Sequence, residues 1–386
     1  MIQCPVWFAG RQRSIGSDMP IGIDISRLAT HTRTGTEQYT YELLAAIARI
    51  ETQQAFRLYA GITPTSLPPL GDNFTLRVMP SRRLWTHARL SAEILRAPPD
   101  VLFVPAHVLP LALPLARRTR GVVTIHDLGY LAFPEHHTRA QRISLALSTR
   151  WSAQVAHHVI AISMATRDAL IRHLRVDPAR ISVVHHGVAA RFAQPLDDAA
   201  RERIAALVGT APYLLCIGTV QPRKNLLRLI DALAATPDAP RLVIVGRRGW
   251  LAEPIERRAA ELSIADRVHF TGYLADRDLP ALYAAATAFV FPSLYEGFGM
   301  PVLEAMAAGT PVLTANTSAL PEVAGDAAVL VDPGDTAAIA AGLGRISHDS
   351  TLRQRLSIAG RQRAATFTWE HCAQQTLTIL RQVAAH

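Results

Sequence analysis

Short apolar runs recur along this chain, each about the length of one strand and separated from the next by a helix-like stretch or a polar turn. In the first half they are IGIDIS (21–26), FRLYAG (56–61), FTLRVM (74–79), DVLFVPA (100–106), GVVTIHD (121–127), HHVIAIS (157–163) and ISVVHHG (181–187). Near-continuous apolar runs mark strands buried on both faces, and helices between them make the sheet parallel. Helix-like pieces fall near 36–51, 84–96, 138–156 and 164–174. After a connector at HHGVAARFAQP (185–195) the alternation restarts, with YLLCIGTV, RLVIVGRRG, RVHFTGYL, AATAFVFP, PVLTAN and AAVLVDP as strands. A chain of 386 residues is long enough for two cores. The expected class is α/β, with two doubly wound, Rossmann-like domains facing across a cleft, one at 19–187 and one at 188–368.

Composition narrows the function. Apolar residues make up 49% of the chain, and no uninterrupted apolar run reaches membrane-spanning length. Cys4, Cys216 and Cys372 are scattered and form neither a disulfide framework nor a metal spacing, which points to a reducing cytoplasm. Residues 1–18 lack the basic n-region of a signal peptide and are expected to be a disordered leader. The formal charge of +9 is uneven: residues 19–187 carry 19 Lys and Arg against 11 Asp and Glu, whereas residues 188–386 carry 19 of each. A basic first half beside a neutral second half implies an anionic partner. No DNA- or RNA-binding module is visible, so nucleic acid gives way to an anionic membrane. The segment PSRRLWTHARLSAEILR (80–96) fits that partner as an interfacial helix, and fits equally a surface helix with a solvated basic face.

The strongest chemical signal is FPSLYEGFGMPVLEAMAAGTP at 291–311. A buried strand ends, the chain turns sharply at Gly297 and Gly299, and Pro301 opens a helix where its missing N–H costs nothing. Glu296 is expected in the loop beyond the strand, and Glu304 in the first turn of the helix. Between them the N–H groups of Phe298, Gly299 and Met300 lie at a positive helix end suited to an anionic or hydroxyl-rich ligand. Either glutamate alone is explained by the helix dipole or by solvent; a pair eight apart around GFGMP is harder to dismiss.

A second signal is GTVQPRKNLLRLIDAL at 218–233, where Lys224 is the only lysine among 40 basic residues. Asn225 is the expected N-cap of the helix that follows, so Arg223 and Lys224 stand just ahead of its positive end. A compact ammonium beside a forked guanidinium suits phosphate oxygens, although a lone lysine must fall somewhere. His126 and Asp127 end the strand GVVTIHD at the crevice where parallel sheets bind ligands. The residues alone leave open whether that histidine binds a ligand or merely finishes a strand. Gly35, just ahead of a helix, either turns a backbone N–H toward a phosphate or is simply a turn. The pairs His136–His137, His157–His158 and His185–His186 make no zinc spacing and read as non-catalytic.

These stretches together resemble the retaining glycosyltransferases of family GT4, which have the GT-B fold. The likeness spans almost the whole chain after Met19, and Glu296 and Glu304 fall on the family's E-x7-E signature. The resemblance implies that Arg223 and Lys224 neutralise a departing nucleotide diphosphate, that Glu296, His126 and Asp127 meet the donor sugar, and that Glu304 anchors the ribose. It implies that Gly35 approaches the diphosphate, and that Gly246, Tyr273 and Leu274 line the nucleobase. It implies that the last helix, 369–386, packs back on the first domain. The family's usual chemistry is front-face displacement without a cofactor. No D-x-D pair stands where a donor-bound metal would be expected, so no metal is expected. The likeness to bacterial mannosyltransferases of O-antigen or exopolysaccharide synthesis makes GDP-mannose the expected donor, with a GDP- or dTDP-linked deoxysugar next. The expected acceptor is a lipid-linked glycan at the inner face of the cell membrane. Three rivals remain: a sugar-nucleotide epimerase, which needs no acceptor; a dehydrogenase, which would want the G-x-G-x-x-G that neither half has; and a scaffold that binds nucleotide without turnover.

Overall fold

Every run read as a strand holds one. The computed structural model describes residues 20–29, 35–81, 84–133, 138–249 and 252–385. The first sheet contains β1 (Ile21–Asp24), β2 (Phe56–Ala60), β3 (Phe74–Val78), β4 (Val101–Val104), β5 (Arg120–Ile125), β6 (His158–Ala161) and β7 (Ile181–Val183). They run parallel in the order β3-β2-β1-β4-β5-β6-β7. The second sheet contains β8 (Tyr213–Ile217), β9 (Arg241–Val245), β10 (Val268–Gly272), β11 (Ala288–Phe291), β12 (Val312–Ala315) and β13 (Ala328–Val331). Its parallel order is β10-β9-β8-β11-β12-β13. β1, β4, β11 and β12 are buried along their whole length, as strands covered by helices on both faces must be.

Several strands stop before the carboxyl end of the apolar run. GVVTIHD leaves the sheet after Ile125, and ISVVHHG after Val183. The residues cut off, His126–Asp127 and His185–Gly187, turn out of the ladder to build the loops above the sheet. Strand order reverses between β1 and β4 in the first sheet, and between β8 and β11 in the second. Loops leaving two such strands diverge to opposite faces, which opens a crevice beyond their carboxyl ends. The molecule therefore has two crevices, one per sheet.

The helix Trp369–Ala385 follows the second sheet in sequence yet belongs to the first core. Trp369, Cys372, Leu377, Leu380 and Val383 are buried there among Leu43, Ile47, Ile21 and Phe103. The chain thus crosses between domains twice, and the crossings touch: Val188 N–H donates to Phe367 O at 3.0 Å. A Cβ on Gly187 would lie 2.2 Å from the Trp369 nitrogen, so only glycine lets the two pass.

The segment 84–96 is not one regular helix: Trp85–Leu90 is π-helical, and only Ser91–Arg96 is α-helical. Among the described residues no helix is long and apolar enough to cross a membrane. The expected leader 1–18, the loop 30–34 ahead of Gly35, Arg82, Arg83 and the His136–His137 pair lie outside the described residues.

Candidate active site

The second crevice is lined by charge. β8 runs into a loop that ends in the short turn Pro222–Lys224, and β11 runs into the loop carrying Glu296. Lys224 Nζ donates to Glu296 Oε1 at 2.7 Å, and Arg223 reaches Oε2 at 3.0 Å. Ser293 Oγ donates to Oε1 at 2.6 Å, and Ser318 Oγ accepts from the Glu296 N–H at 3.0 Å. Arg223 also donates to Tyr295 O, and the Lys224 ammonium stands 4.5 Å from the centre of the Phe291 ring. Glu296 and Lys224 are 8% and 7% exposed, so the pair is held largely out of water. Burial alone would push the Glu296 carboxyl up, but Lys224 and Arg223 hold it at about 2. Burial pulls the Lys224 ammonium below its usual range, with Glu296 opposing. Arg223 feels the same desolvation but moves up, because Glu296 and Asp127 outweigh it.

Glu304 lies apart from this cluster. It occupies the second turn of the helix Met300–Ala308, not the first, because the helix starts only at Met300. Its Oε2 accepts from the Tyr283 hydroxyl at 2.9 Å. Burial raises its carboxyl to about 7; the Tyr283 bond and the Arg191 charge work against that rise, and Asp276 adds to it. Among the described residues, no acceptor takes the N–H of Phe298, Gly299 or Met300, so the donor array expected at this helix start is open. Gly299 holds φ 104°, a left-handed value that glycine adopts without strain.

Asn225 is at the N-cap position but does not cap. Its backbone is left-handed (φ 59°), and its amide donates instead to Pro292 O at 3.0 Å and Pro333 O at 2.7 Å. It ties the Lys224 turn to the Glu296 loop, a tertiary role that local sequence does not display.

The two domains meet at the first glycine of the GFG turn. A Cβ on Gly297 would fall 2.1 Å from His126 O and 2.8 Å from the Asp127 Cβ. Ser163 Oγ, at the end of β6, donates to Gly297 O at 2.7 Å, and Leu128 N–H reaches the Tyr295 hydroxyl at 3.4 Å. The Glu296 loop is therefore seated on the end of β5, beside His126. His126 is 8% exposed and its Nε2 lies 2.7 Å from Pro105 O. A carbonyl can only accept, so Nε2 carries the proton and Nδ1 keeps a lone pair. Burial, with His107 beside it, drops the imidazole to about 3, so the ring stays neutral near neutral pH. Tyr39 packs edge-on against it at 4.9 Å, and His186 lies at 5.7 Å. Asp127 accepts from the Gly129 N–H at 2.8 Å.

The remaining positions are peripheral. Gly35 is the first residue of the helix Gly35–Ile50, with open space where its Cβ would be. Gly246 gives its N–H to Gly272 O, and a Cβ there would strike Gly218 O at 2.0 Å. That glycine is required by the packing of two loops, and its N–H is not offered to a ligand. Tyr273 is 52% exposed under the Arg247 guanidinium, and Leu274 packs on the second core. Sequence reasoning missed Ser293, Tyr283 and Tyr39. Ser293, three residues before Glu296, was the one a local signal could have found.

Two parallel-sheet domains, a buried cationic pair at one crevice and a neutral histidine at the join fit a glycosyltransferase of the GT-B architecture. The comparisons with known proteins agree. The model described as Glycosyltransferase Family 4 matches residues 33–192, and that described as Glycosyl transferases group 1 matches residues 198–363. The chain is 32% identical over 377 residues to O-antigen chain mannosyltransferase B of Escherichia coli, covering 89% of this chain and 95% of the relative. It is 26% identical to O-antigen chain mannosyltransferase RfbU of Salmonella typhimurium, covering 75% and 80%. This chain belongs to the family 4 (group 1) glycosyltransferases. Among solved structures, sucrose-phosphate synthase of Thermosynechococcus elongatus matches with TM-score 0.77 at 24% identity, covering 95% of this chain and 100% of that one. HepE of Anabaena, in complex with UDP-glucose, matches with TM-score 0.72 at 20% identity, covering 94% and 100%. Those two likenesses speak to the fold.

Proposed function

We propose that this chain is a retaining, metal-independent mannosyltransferase that moves mannose from GDP-mannose onto a lipid-linked or polysaccharide acceptor in O-antigen or exopolysaccharide synthesis. The observation that carries this reading is the buried Lys224–Arg223–Glu296 cluster, seated against the strand end that bears His126. The O-antigen mannosyltransferases among the relatives support the sugar.

In this reading the donor diphosphate takes Lys224 and Arg223 over from Glu296. Two cations in a desolvated crevice stabilise charge that grows on the leaving phosphate, and no metal is needed for that. Glu296, released, accepts from hydroxyls of the sugar, and His126 offers Nδ1 to another. Glu304 holds the ribose; Gly35 and Asp127 border the diphosphate and sugar; Tyr273 and Leu274 border the base beside Gly246. The bond from the anomeric carbon to the phosphate oxygen breaks as the acceptor oxygen attacks from the same face. The acceptor proton passes to the departing phosphate oxygen, so configuration is retained.

The protein acts at the cytoplasmic face of the inner membrane as a peripheral enzyme. The basic first domain supports this, as do its exposed Leu84, Leu95, Leu115, Ile143 and Leu147, which suit an anionic leaflet. Co-sedimentation with phosphatidylglycerol vesicles that salt abolishes is the expected result.

The deciding experiment is a thermal-shift screen of GDP, UDP and dTDP, because a ligand at about 100 times its Kd stabilises the fold by ~2.7 kcal/mol. GDP is expected to give the largest shift. Transfer from GDP-mannose should continue in EDTA with an α-linked product. A flat response to all three nucleotides would falsify the transferase reading, and UDP ahead of GDP would change the donor.

A further inference from the structure

The loop that carries Glu296 is braced from behind by the segment after β12. Ser318 Oγ accepts from the Glu296 N–H at 3.0 Å, the Ala319 N–H donates to Glu296 O at 3.4 Å, and Thr317 Oγ1 donates to Leu294 O at 3.3 Å. Ser318 takes a left-handed backbone to get there (φ 55°), which a residue with a side chain keeps only where its surroundings enforce it. The short helix that follows, Leu320–Ala324, is fixed at its far end: Arg363 donates to Glu322 O at 2.6 Å and to Val323 O at 3.0 Å. It also lies on the GFG turn, where a Cβ on Gly299 would meet Leu320 at 2.8 Å.

From this mounting the Glu322 carboxylate reaches the other domain. Both of its oxygens accept from the Met164 N–H at 2.9 Å, and His185 Nε2 stands 2.6 Å from Oε1. Met164 opens the helix Met164–Leu174 of the first domain, and His185 lies in the loop that leads from β7 to the Gly187 crossing. Free N–H groups and the dipole at a helix start both favour a carboxylate there. An ionised carboxyl only accepts, so His185 Nε2 carries the proton. Burial alone would raise the Glu322 carboxyl, but the His185 bond and the N–H groups of Met164 and Ala165 hold it below its ordinary range.

These bonds close a circuit. From Glu296 it runs through Ser318 and Ala319 to Glu322, across to Met164, back one residue to Ser163, and through the Ser163 hydroxyl to Gly297 O, next to Glu296. The links from Glu322 to Met164 and from Ser163 to Gly297 both cross between the domains, and both use the start of one helix. A loop with glycine at 297 and 299 has little stiffness of its own, so its outside anchors decide where Glu296 stands. Drawing the domains apart breaks both crossing links together.

We propose that Glu322 is a positioning residue for the transfer reaction: its grip on the start of the helix Met164–Leu174 holds the domains closed with Glu296 in register with His126. The positioning role rests on the transferase reading above; the tie between the domains does not. Arg223, Lys224 and Glu304, the charged groups assigned to the nucleotide, all belong to the second domain. Losing Glu322 therefore leaves the nucleotide's own contacts in place.

The test compares the full-length wild type with Glu322→Ala and Glu322→Gln. GDP release from saturating GDP-mannose, with methyl α-mannoside as acceptor, gives kcat. Glu322→Ala should lower it by about tenfold to a hundredfold, the scale of loss when a reacting group is misplaced by roughly 1 Å. Its GDP-induced rise in Tm should stay at the wild-type value, and its GDP-bound form should show a larger radius of gyration by small-angle X-ray scattering. Glu322→Gln keeps the reach and one acceptor oxygen for the Met164 N–H, so it should recover part of the rate and the radius. If Glu322→Ala does not fold, Glu322→Asp, one methylene too short for the same grip, takes its place with the same expectations. The proposal is overturned if kcat stays at the wild-type value, or if it falls with the radius unchanged. It is overturned too if the GDP-induced rise in Tm is lost, because the damage then lies in the second domain and not in a missing tie. Were the wild type itself to release no GDP, the transferase reading would fall, and the radius alone would judge the tie.

Discussion

The two crevices occupy the same place in two sheets of the same topology, and they differ in how tightly their charges are paired. Beyond β8 and β11 three ionised side chains are packed together with little water. Beyond β1 and β4 the groups are the Asp24 carboxylate bonded by an indole, the Arg27 guanidinium, hydroxyls, and the neutral His126 close by. A parallel sheet supplies the opening in both cases, and the loops decide what fills it. The charged side is also pre-paired: its cations already rest on Glu296 rather than on solvent. Removing one member of such a pair strands the other.

The largest expected effect tests whether the cations are the chemical half of the molecule. Lys224→Ala should lower turnover of GDP-mannose by about 10²–10³-fold, the usual loss when one stabiliser of developing negative charge is removed. Initial rates at saturating donor measure it, and a loss below fivefold would erase the contrast between the crevices.

Next comes acid stability. The folded Glu296 carboxyl sits at about 2 against an ordinary 4.5. Its stabilisation, about 3 kcal/mol, is therefore complete above the ordinary value and lost as the pH falls toward 2. Urea melts of wild type between pH 5 and 2 should show that loss, and Glu296→Gln, less stable at pH 7, should lack it.

Glu304 behaves in the opposite sense. Its carboxyl is raised to about 7 from 4.5, so its contribution is full below 4.5 and is lost as pH rises through 7. With Glu304 holding the ribose as proposed, the ionised carboxylate is the better acceptor, so nucleotide affinity should tighten from pH 6 to 8 by up to about tenfold. Isothermal titration should find Glu304→Gln flat across that range, and its Tm should gain on wild type as the pH rises.

The smallest effect expected is none. His126 titrates at about 3, so the profile of log kcat should carry no limb near pH 6.5 that His126→Asn removes. Finding one would make the first crevice a proton-transfer site and end the comparison as drawn.

Much of this was legible in the chain. The strands were readable because a parallel sheet buries both faces, and the runs around β1, β4 and β11 carry almost no polar residue. Glu296, Lys224 and Arg223 were readable because short motifs fix them beside two strand ends. What escaped depended on contacts far apart in sequence. Asn225 looks like a helix cap, but the carbonyls it binds belong to Pro292 and Pro333, on other loops. Gly246 looks like a ligand-facing glycine, yet Gly218 and Gly272 claim its surroundings. Trp85 fitted an interfacial helix or an ordinary surface helix equally; Gly61 and Asp24, distant in the chain, turn it into the wall of a cavity.

The doubled crossing at Gly187 and Phe367 has a mechanical outcome. One tether would act as a swivel, but two tethers pinned side by side behave like a door on paired pins, free to swing about a single axis. Two such pins permit rotation about one axis and oppose twisting about any other, which keeps the Gly297 turn in register with the strand end at His126.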